Sequence, residues 1–300
     1  MRTCEKAGIY GGHARVGDVV SAQRLHFTKM HALGNDFVVV EALQQAFEVD
    51  SNGICKLGNR QLGVGFDQLL VIRRNVESQA DFDLDIYNSD GTKAEQCGNG
   101  TLCVARFLAD RNFSIKKTLS FQTLGGKVRV TVDGQNVFAK LALPLVDPAA
   151  VPFVASSASL QYKVRVDLDA LAEVQVTPIG MGNPHAVLFT NPYAKHVEAV
   201  AHALQNHVRF PESVNVEFVE VLDRQTIRMR VFERGAGETL ACGTGSCAAV
   251  AAAKLSGLVD QCVRVEQKGG VAEVYWAGAD EEIELSAPTT FVFDGEIDIE

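Results

Sequence analysis

A set of landmarks that recurs in both halves of the chain is the feature that most restricts its fold. Cys97 opens the stretch Cys-Gly-Asn-Gly, and Cys242 opens Cys-Gly-Thr-Gly about 145 residues later. The same order and nearly the same offset relate four further pairs: Gly34-Asn35 with Gly182-Asn183, Ile86-Tyr87-Asn88 with Val231-Phe232-Glu233, Gly125-Gly126 with Gly269-Gly270, and Pro144 with Pro288. Matches in one fixed order indicate an internal duplication of a single α/β unit.

Each copy shows a similar predicted series of elements. The first has a strand at 37–40, a helix at 52–61, an alternating strand at 82–87, a helix after Cys97, and a hairpin of 127–132 and 137–143 around Asp133-Gly134. The second has an alternating strand at 227–232, a helix after Cys242, and a hairpin of 273–276 and 282–285. The longest helix signal lies at 192–208, where Val197, Val200, Ala201 and Leu204 share one face.

The fold class that follows is α+β, with two pseudo-symmetric α/β lobes. Each lobe is expected to be a mixed or antiparallel sheet around a central helix, with the active site in the cleft between the lobes. We expect residues 25–143 together with 288–300 to form the N-terminal lobe and residues 144–287 the C-terminal lobe, joined by a Pro-rich linker at 144–152. Residues 1–24 are expected to be an extension that carries no chemistry.

The charge and hydropathy of the chain argue against several classes of protein. A net charge of −9 without a Lys/Arg-rich run disfavours nucleic acid as the main partner. The longest apolar run, at 248–253, is too short to span a bilayer, and we find no secretory signal. Seven cysteines without an export signal predict reduced thiols in a cytoplasmic protein. The spacings Cys-x5-Cys and Cys-x4-Cys do not match a zinc site, so we expect no metal.

The two cysteines at the helix starts are the candidate chemical groups. Bringing the pKa of a thiol from ~8.5 towards ~7 takes about 2 kcal/mol. A helix N-terminus with one or two backbone N–H bonds can supply that free energy. We therefore expect Cys97 and Cys242 to be acidic thiols that face each other across a cleft. Cys103 and Cys247 are expected to be core residues, and Cys4, Cys55 and Cys262 to be structural or incidental.

A thiolate paired with a thiol suits inversion at a carbon centre. The thiolate removes a proton from carbon while the thiol delivers one to the opposite face. The two helix N-termini could also bind a carboxylate next to that carbon and stabilise the charge that develops on it. This chemistry needs no electron-sink cofactor, although the residues alone leave a pyridoxal-phosphate lysine open as an alternative.

Several motifs together closely resemble the diaminopimelate epimerase family, from about residue 25 to the C-terminus. They are Phe27-Thr28-Lys29-Met30-His31-Ala32-Leu33-Gly34-Asn35-Asp36-Phe37, Gly63-Val64-Gly65-Phe66-Asp67-Gln68, Gly182-Asn183-Pro184-His185 and Glu233-Arg234-Gly235-Ala236-Gly237-Glu238-Thr239, with the two cysteine stretches. The resemblance implies a cofactor-independent isomerase that interconverts LL- and meso-diaminopimelate by a two-base mechanism, for lysine and cell-wall synthesis. It also implies two pseudo-symmetric lobes, a homodimer and a cytoplasmic location.

The resemblance also implies roles for individual residues. Cys97 and Cys242 match the acid/base thiols, and His185 and Glu233 resemble the groups that partner them. Gly98, Asn99, Gly243 and Thr244 match the helix ends that hold the reacting carboxylate, and Asn35 and Gln68 resemble contacts to the reacting ammonium. Asn88, Asn183, Asn215, Glu233 and Arg234 resemble the set that recognises the far amino-acid end. Ala32 and Leu102 depart from the family, which commonly has glycine and arginine at those positions.

Three alternatives remain at this stage. A proline racemase or hydroxyproline epimerase shares the two-cysteine chemistry, but proline has no distal charged group for the polar set to satisfy. A phenazine-type isomerase with a single carboxylate acid/base is disfavoured because both cysteines are present. A thiol redox protein would cycle Cys97 and Cys242 through a disulfide instead of moving protons.

Overall fold

The computed structural model describes residues 23–168 and 171–299. Most of the predicted extension at 1–24, including Cys4, therefore lies outside the described residues. Its last two residues, Gln23 and Arg24, belong to the first strand.

The described residues form strands and helices with the following bounds. The strands are β1 (Gln23–Ala32), β2 (Asn35–Glu41), β3 (Gln68–Arg74), β4 (Phe82–Asn88), β5 (Thr118–Thr123), β6 (Gly126–Asp133), β7 (Asn136–Lys140), β8 (Tyr162–Leu168), β9 (Leu171–Gly180), β10 (Pro184–Phe189), β11 (Asn215–Asp223), β12 (Thr226–Glu233), β13 (Gly237–Thr239), β14 (Cys262–Gln267), β15 (Gly270–Tyr275), β16 (Glu284–Ser286) and β17 (Thr289–Ile299). The helices are α1 (Ser51–Gly58), α2 (Gly98–Asp110), α3 (Val197–Gln205) and α4 (Gly243–Leu255). The mixed α/β class expected from the sequence is confirmed.

The same order of strand pairings occurs in both halves of the chain. In the first half, β1–β2 is antiparallel, β2–β3 parallel, β3–β4 antiparallel, β4–β5 parallel, and β5–β6 and β6–β7 antiparallel. In the second, β9–β10 is antiparallel, β10–β11 parallel, β11–β12 antiparallel, β12–β14 parallel, and β14–β15 and β15–β16 antiparallel. Each parallel pair is connected through a helix, as a crossover between parallel strands requires.

The two halves are joined by strand pairing. β7 pairs antiparallel with β16, and β17 at the C-terminal end returns to pair along the whole of β1. The first half of the chain and its last strand are therefore hydrogen-bonded to each other.

The helices α2 and α4 occupy the middle of one shared apolar core. In α4 every residue from Gly243 to Ala253 is buried, which its alanine-rich sequence allows because small side chains pack closely on all sides. In β4, alternate residues point inwards, so that Leu84 and Ile86 belong to the same core as α2. Leu102, one of the two departures from the family pattern, is fully buried within α2, and Ala32 is fully buried at the end of β1.

Several predicted bounds are wrong. The helix at 192–208 is confined to α3, nine residues long, so the longest described helices are instead α2 and α4 with 13. Residues 192–196 form turns ahead of α3, but the predicted apolar face is buried as expected. The helix predicted at 52–61 ends at Gly58, and the strand predicted at 137–143 ends at Lys140. No helix among the described residues is both long and apolar enough to cross a membrane.

Candidate active site

Cys97 and Cys242 cap α2 and α4 in the same way. Both have an extended backbone, and the Sγ of each accepts a hydrogen bond from the backbone N–H three residues further on: Gly100 at 3.2 Å and Gly245 at 3.4 Å. The carbonyl oxygens of the two cysteines also have equivalent partners, since Thr101 Oγ1 and Ser246 Oγ donate to them at 2.7 and 2.8 Å. The two thiols are thus fixed at the positive ends of two buried helices.

The N-termini of these two helices meet at a pair of glycines. A β-carbon placed on Gly98 would lie 3.8 Å from the Cα of Gly243. A β-carbon on Gly243 would lie 2.8 Å from Leu285 Cδ2 and 3.0 Å from Asn99 Oδ1, closer than packed side chains allow. Glycine at these positions lets the two helix ends, and the cysteines that precede them, approach each other.

A cleft with a volume of about 480 Å³ lies beside this junction. Most of the residues singled out from the sequence line it: Cys97, Cys242, Glu233, Asn35, Gln68, Asn88, Gly98, Asn183, Asn215, Arg234, Gly243 and Thr244. Asn99 and His185 are buried behind the wall of the cleft and contact residues that line it. The structure therefore brings the sequence-derived residues together in one place.

Two amides on the α2 side of the cleft are linked to a carboxylate. Asn35 Nδ2 donates to Asp67 Oδ2 at 2.9 Å, and Asn99 Nδ2 donates to Asn35 Oδ1 at 3.3 Å. Gln68 Nε2 donates to Asn88 Oδ1 at 3.0 Å, while Gln68 Oε1 has no hydrogen-bond partner among the described residues. This wall of the cleft therefore presents oxygen acceptors, which suit a substrate ammonium group.

The opposite wall is built from β10, β11 and the end of β12. Asn215 Oδ1 accepts from the backbone N–H of Arg234 at 2.8 Å, and Asn215 Nδ2 donates to the Pro184 carbonyl at 3.3 Å. The guanidinium of Arg234 donates to the Glu212 carbonyl at 2.9 Å. Asn215 thus holds the chain at Arg234 on the cleft wall.

His185 lies in a buried hydrogen-bonded chain with two other side chains. Its Nδ1 is 2.6 Å from Glu217 Oε1, and its Nε2 is 2.9 Å from Asn183 Oδ1. His185 and Glu217 are both fully buried, and burial raises the pKa of the Glu217 carboxyl, although His185 opposes this. Glu217 Oε2 has no hydrogen-bond partner among the described residues.

Glu233 is a carboxylate that acts on both thiols. Thr239 Oγ1 donates to Glu233 Oε1 at 2.6 Å, and Cys242 hydrogen-bonds with the same carboxyl group. Burial raises the pKa of Glu233, and these two hydrogen bonds work against that effect. The charge of Glu233 in turn raises the pKa values of both Cys97 and Cys242.

The expectation of acidic thiols is wrong. Burial raises the pKa of Cys97 to about 12, and the hydrogen bond from Gly100 offsets only part of this rise. The pKa of Cys242 is also raised well above its ordinary value, first by burial and then by the charges of Glu233 and Glu217. The helix N-termini are present as predicted, but desolvation and two nearby carboxylates outweigh them.

Sequence reasoning missed several polar residues of this region, among them Asp67, Thr239 and Glu217. Asp67 and Thr239 line the cleft, and Glu217 lies behind it next to His185. Asp67 stands directly before Gln68, and Thr239 lies within the motif that contains Glu233. The signal for Glu217 was a single glutamate inside the apolar run 214–219, where an unpaired charge would be costly.

The other cysteines of the described residues do not line the cleft. Cys103 and Cys247 are fully buried core residues, as predicted, and Cys262 is exposed on β14. Within the described part of the chain, no group of three or more His, Cys, Asp or Glu residues could hold a metal ion.

Comparisons with known proteins give a consistent result. The sequence model of the diaminopimelate epimerase family matches residues 27–140 and 177–291. The diaminopimelate epimerases of Ectopseudomonas mendocina (strain ymp) and Azotobacter vinelandii (strain DJ / ATCC BAA-1303) are 44% and 42% identical over 276 residues, which is 91% of this chain and 99% of each relative. A solved hydroxyproline epimerase from Agrobacterium vitis has a TM-score of 0.70 at 12% identity and covers 92% of both chains, a likeness of fold alone.

Proposed function

Since this chain belongs to the diaminopimelate epimerase family and has the isomerase activity of its relatives, we propose that Cys97 and Cys242 are its acid/base pair. The reaction interconverts LL- and meso-diaminopimelate and belongs to lysine biosynthesis. One thiol group removes the α-proton and the other adds a proton on the opposite face, which inverts that carbon.

The observation that carries this proposal is the meeting of two cysteine-capped helix N-termini beside one cleft. The backbone N–H groups at the starts of α2 and α4, around Gly98, Asn99, Gly243 and Thr244, suit the carboxylate of the reacting centre. They also suit the negative charge that develops on this carboxylate when the α-proton leaves. The acceptors Asn35 and Gln68 are assigned to the reacting ammonium group.

Proton transfer within the site begins from two protonated thiols, because burial raises both pKa values. Glu233 hydrogen-bonds with Cys242 and has a raised pKa itself, so it is a suitable acceptor for the Cys242 proton. Cys242 then takes the α-proton as a thiolate, and Cys97 donates its proton to the other face. The thiolate now lies on Cys97, which is the starting state for the reverse reaction. His185, held by Glu217, acts on Glu233 through its charge.

The far end of the substrate carries a second ammonium and a second carboxylate. We assign its recognition to Asn88, Asn183, Asn215, Glu233 and Arg234, which also line the cleft. An arginine, a carboxylate and several amides match the charges of an amino-acid group. A monocarboxylic substrate such as proline would leave these groups without partners.

The architecture expected from the sequence belongs to the same proposal. We interpret the repeated order of strand pairings as two pseudo-symmetric lobes that arose by duplication, with the cleft between them. The lobe bounds remain 25–143 with 288–300, and 144–287. We further propose a cofactor-independent enzyme that acts as a homodimer in the cytoplasm, where its product serves lysine and cell-wall synthesis.

The decisive experiment is epimerisation of LL-diaminopimelate in D2O. We expect deuterium at the inverted α-carbon of the product, because the proton it receives comes from a thiol in exchange with solvent. Cys97→Ala and Cys242→Ala should each lower kcat by roughly 1,000-fold or more, since each removes one of the two proton-transfer groups.

Cys262→Ser is the matched control, because this cysteine is exposed and outside the cleft. It should keep the kcat of the unmodified enzyme. Full turnover by either alanine variant, or product without deuterium, would rule out the two-base mechanism. L-proline, offered as a second substrate, should show no exchange.

A further inference from the structure

The carboxylate of Asp67 moves no proton in the mechanism described above, although its charge raises the pKa values of Cys97 and Glu233, and it lies on the wall of the cleft. Its side chain is 40% exposed. Oδ2 accepts from Asn35 Nδ2 at 2.9 Å and from the backbone N–H of Asp36 at 3.0 Å. Oδ1 accepts from Arg60 Nη2 at 2.7 Å. Both oxygens of Asp67 are therefore held in place by donors.

This carboxylate fixes which way the neighbouring amide points. An ionised carboxylate only accepts hydrogen bonds, so the group that Asn35 turns towards Asp67 must be its NH2. Asn35 Oδ1 is then the atom left for other partners, and it accepts from Asn99 Nδ2 at 3.3 Å. Asn99 is oriented in turn, with its Oδ1 turned to Gly243 at the start of α4.

With Asn35 in this orientation, hydrogen-bond acceptors lie on one side of the cleft and hydrogen-bond donors on the other. Asn35 Oδ1 is an acceptor on one wall, where the buried Gln68 Oε1 also has no hydrogen-bond partner among the described residues. The N-termini of α2 and α4 supply N–H donors on the other side. An α-amino-acid head group needs both kinds of partner, since its ammonium group only donates and its carboxylate only accepts. A reversed Asn35 amide would turn NH2 towards the ammonium group.

We propose that Asp67 is a positioning residue for the reacting ammonium group, because it holds the Asn35 amide with its oxygen available to that group. The inference rests on the proposed function, since it requires the reacting head group to bind between Asn35 and the helix junction.

A purely structural role is a weaker explanation of the same contacts. Arg60 also donates to both carboxylate oxygens of Asp36, from Nη1 at 3.1 Å and from Nη2 at 2.5 Å, and Asp36 pairs with Lys29 as well. Arg60 would therefore keep its hydrogen bonds to Asp36 if Asp67 were replaced. Asn35, by contrast, has no other acceptor for its Nδ2 among the hydrogen bonds of the described residues.

Two substitutions of Asp67 distinguish the effect of the position of its oxygen atoms from the effect of its charge. Asp67→Asn keeps an oxygen where Asn35 needs it and can turn its NH2 to the side of Arg60, whose side chain is 57% exposed and free to move away. Asp67→Glu keeps the charge but displaces the oxygens by one methylene. We expect Asp67→Glu to raise KM for LL-diaminopimelate by at least about 10-fold and Asp67→Asn by less than about 3-fold, with smaller changes in kcat.

Asp90→Asn is the matched control, because this aspartate also borders the cleft and, within the described residues, its side chain hydrogen-bonds only with Thr92. The KM of the Asp90→Asn variant should stay within about 2-fold of the KM of the unmodified enzyme. Equal KM values for the two Asp67 variants, or a smaller effect of Asp67→Glu than of Asp67→Asn, would overturn the positioning role. If the Asp67 variants retain kcat and deuterium incorporation, the two-thiol mechanism still holds. A failure of the positioning role can then be told apart from a failure of that mechanism.

A second measurement uses the unmodified protein and does not depend on the folding of a variant. The side-chain NH2 of Asn35 should give NMR signals that exchange slowly with water, because one proton is bonded to a carboxylate. Fast exchange of both protons would contradict the proposal.

Discussion

Cys97 and Cys242 each accept one backbone hydrogen bond at the start of a helix, and the charge of Glu233 acts on both. A helix N-terminus contributes up to ~2 kcal/mol to a thiolate in favourable geometry. Desolvation of a buried charge costs more than this, so the pKa values of both thiols are raised and the protonated form is favoured at neutral pH. The proton acceptor that completes the pair is the carboxylate of Glu233.

Removing the charge of Glu233 should make both thiols more acidic. Glu233→Gln eliminates a negative charge that raises the pKa values of Cys97 and Cys242, so the thiolate forms at lower pH. We expect alkylation of these cysteines by iodoacetamide at pH 9 to be several-fold faster than in the unmodified protein, while kcat falls at least about 10-fold.

The control for this prediction is Glu238→Gln. Glu238 pairs with Arg230 and Lys268, outside the lining of the cleft, and should leave the alkylation rate unchanged. Slower alkylation of Cys97 and Cys242 in Glu233→Gln would show that the carboxylate does not oppose the thiolates.

At the level of elements, the starts of α2 and α4 are specified more sharply than their surroundings. Cys97 and Cys242 precede glycines that no side chain could replace without moving the opposite helix or Leu285. The short sequence around each cysteine therefore encodes a cap, a helix start and a close approach together. The end of α1 and the start of α3 lack such a signal, and both are among the bounds that the sequence analysis placed incorrectly.

A methyl group at the helix junction should disturb catalysis. Gly243→Ala places a β-carbon 2.8 Å from Leu285 Cδ2 and 3.0 Å from Asn99 Oδ1, so these side chains or the start of α4 must shift. We expect kcat to fall by at least about 10-fold and the free energy of unfolding, measured with urea, to fall by roughly 1–3 kcal/mol.

Gly278→Ala provides the comparison, because its β-carbon would meet no atom within 4 Å. This variant should keep its kcat and lose no stability. A Gly243→Ala enzyme with unchanged kcat would mean that the approach of the two helices does not matter for the reaction.

On the scale of the whole molecule, the two ends of the described chain are hydrogen-bonded together. β17 pairs with β1 from Gln23↔Ile299 to Ala32↔Thr289, and β7 pairs with β16. The first half of the chain thus depends on residues more than 250 positions away for one of its sheet partners.

Removal of residues 288–300 should therefore destabilise the first half. β1 would lose its partner along its whole length, and its backbone groups would form an open edge. We expect the thermal midpoint, followed by circular dichroism, to fall by at least about 5 °C. A variant without residues 1–22, which the sequence predicts to carry no chemistry, should keep its kcat. An unchanged midpoint after removal of 288–300 would contradict the assignment of this segment to the N-terminal lobe.

The sequence by itself determined the features that depend on residues close together in the chain. The alternation in β4 and β12, the hairpin of β6 and β7, and the caps of α2 and α4 follow from local side-chain patterns. The family motifs added the residues of the site, because a particular chemistry requires these residue types at these spacings.

Only the tertiary structure decided how these residues influence one another. The raised pKa values of the thiols, the pairing of His185 with Glu217 and the orientation of Asn35 by Asp67 arise between segments distant in sequence. Burial and long-range charges set these properties, and neither quantity can be obtained from neighbouring residues alone, since desolvation depends on everything that packs around a group.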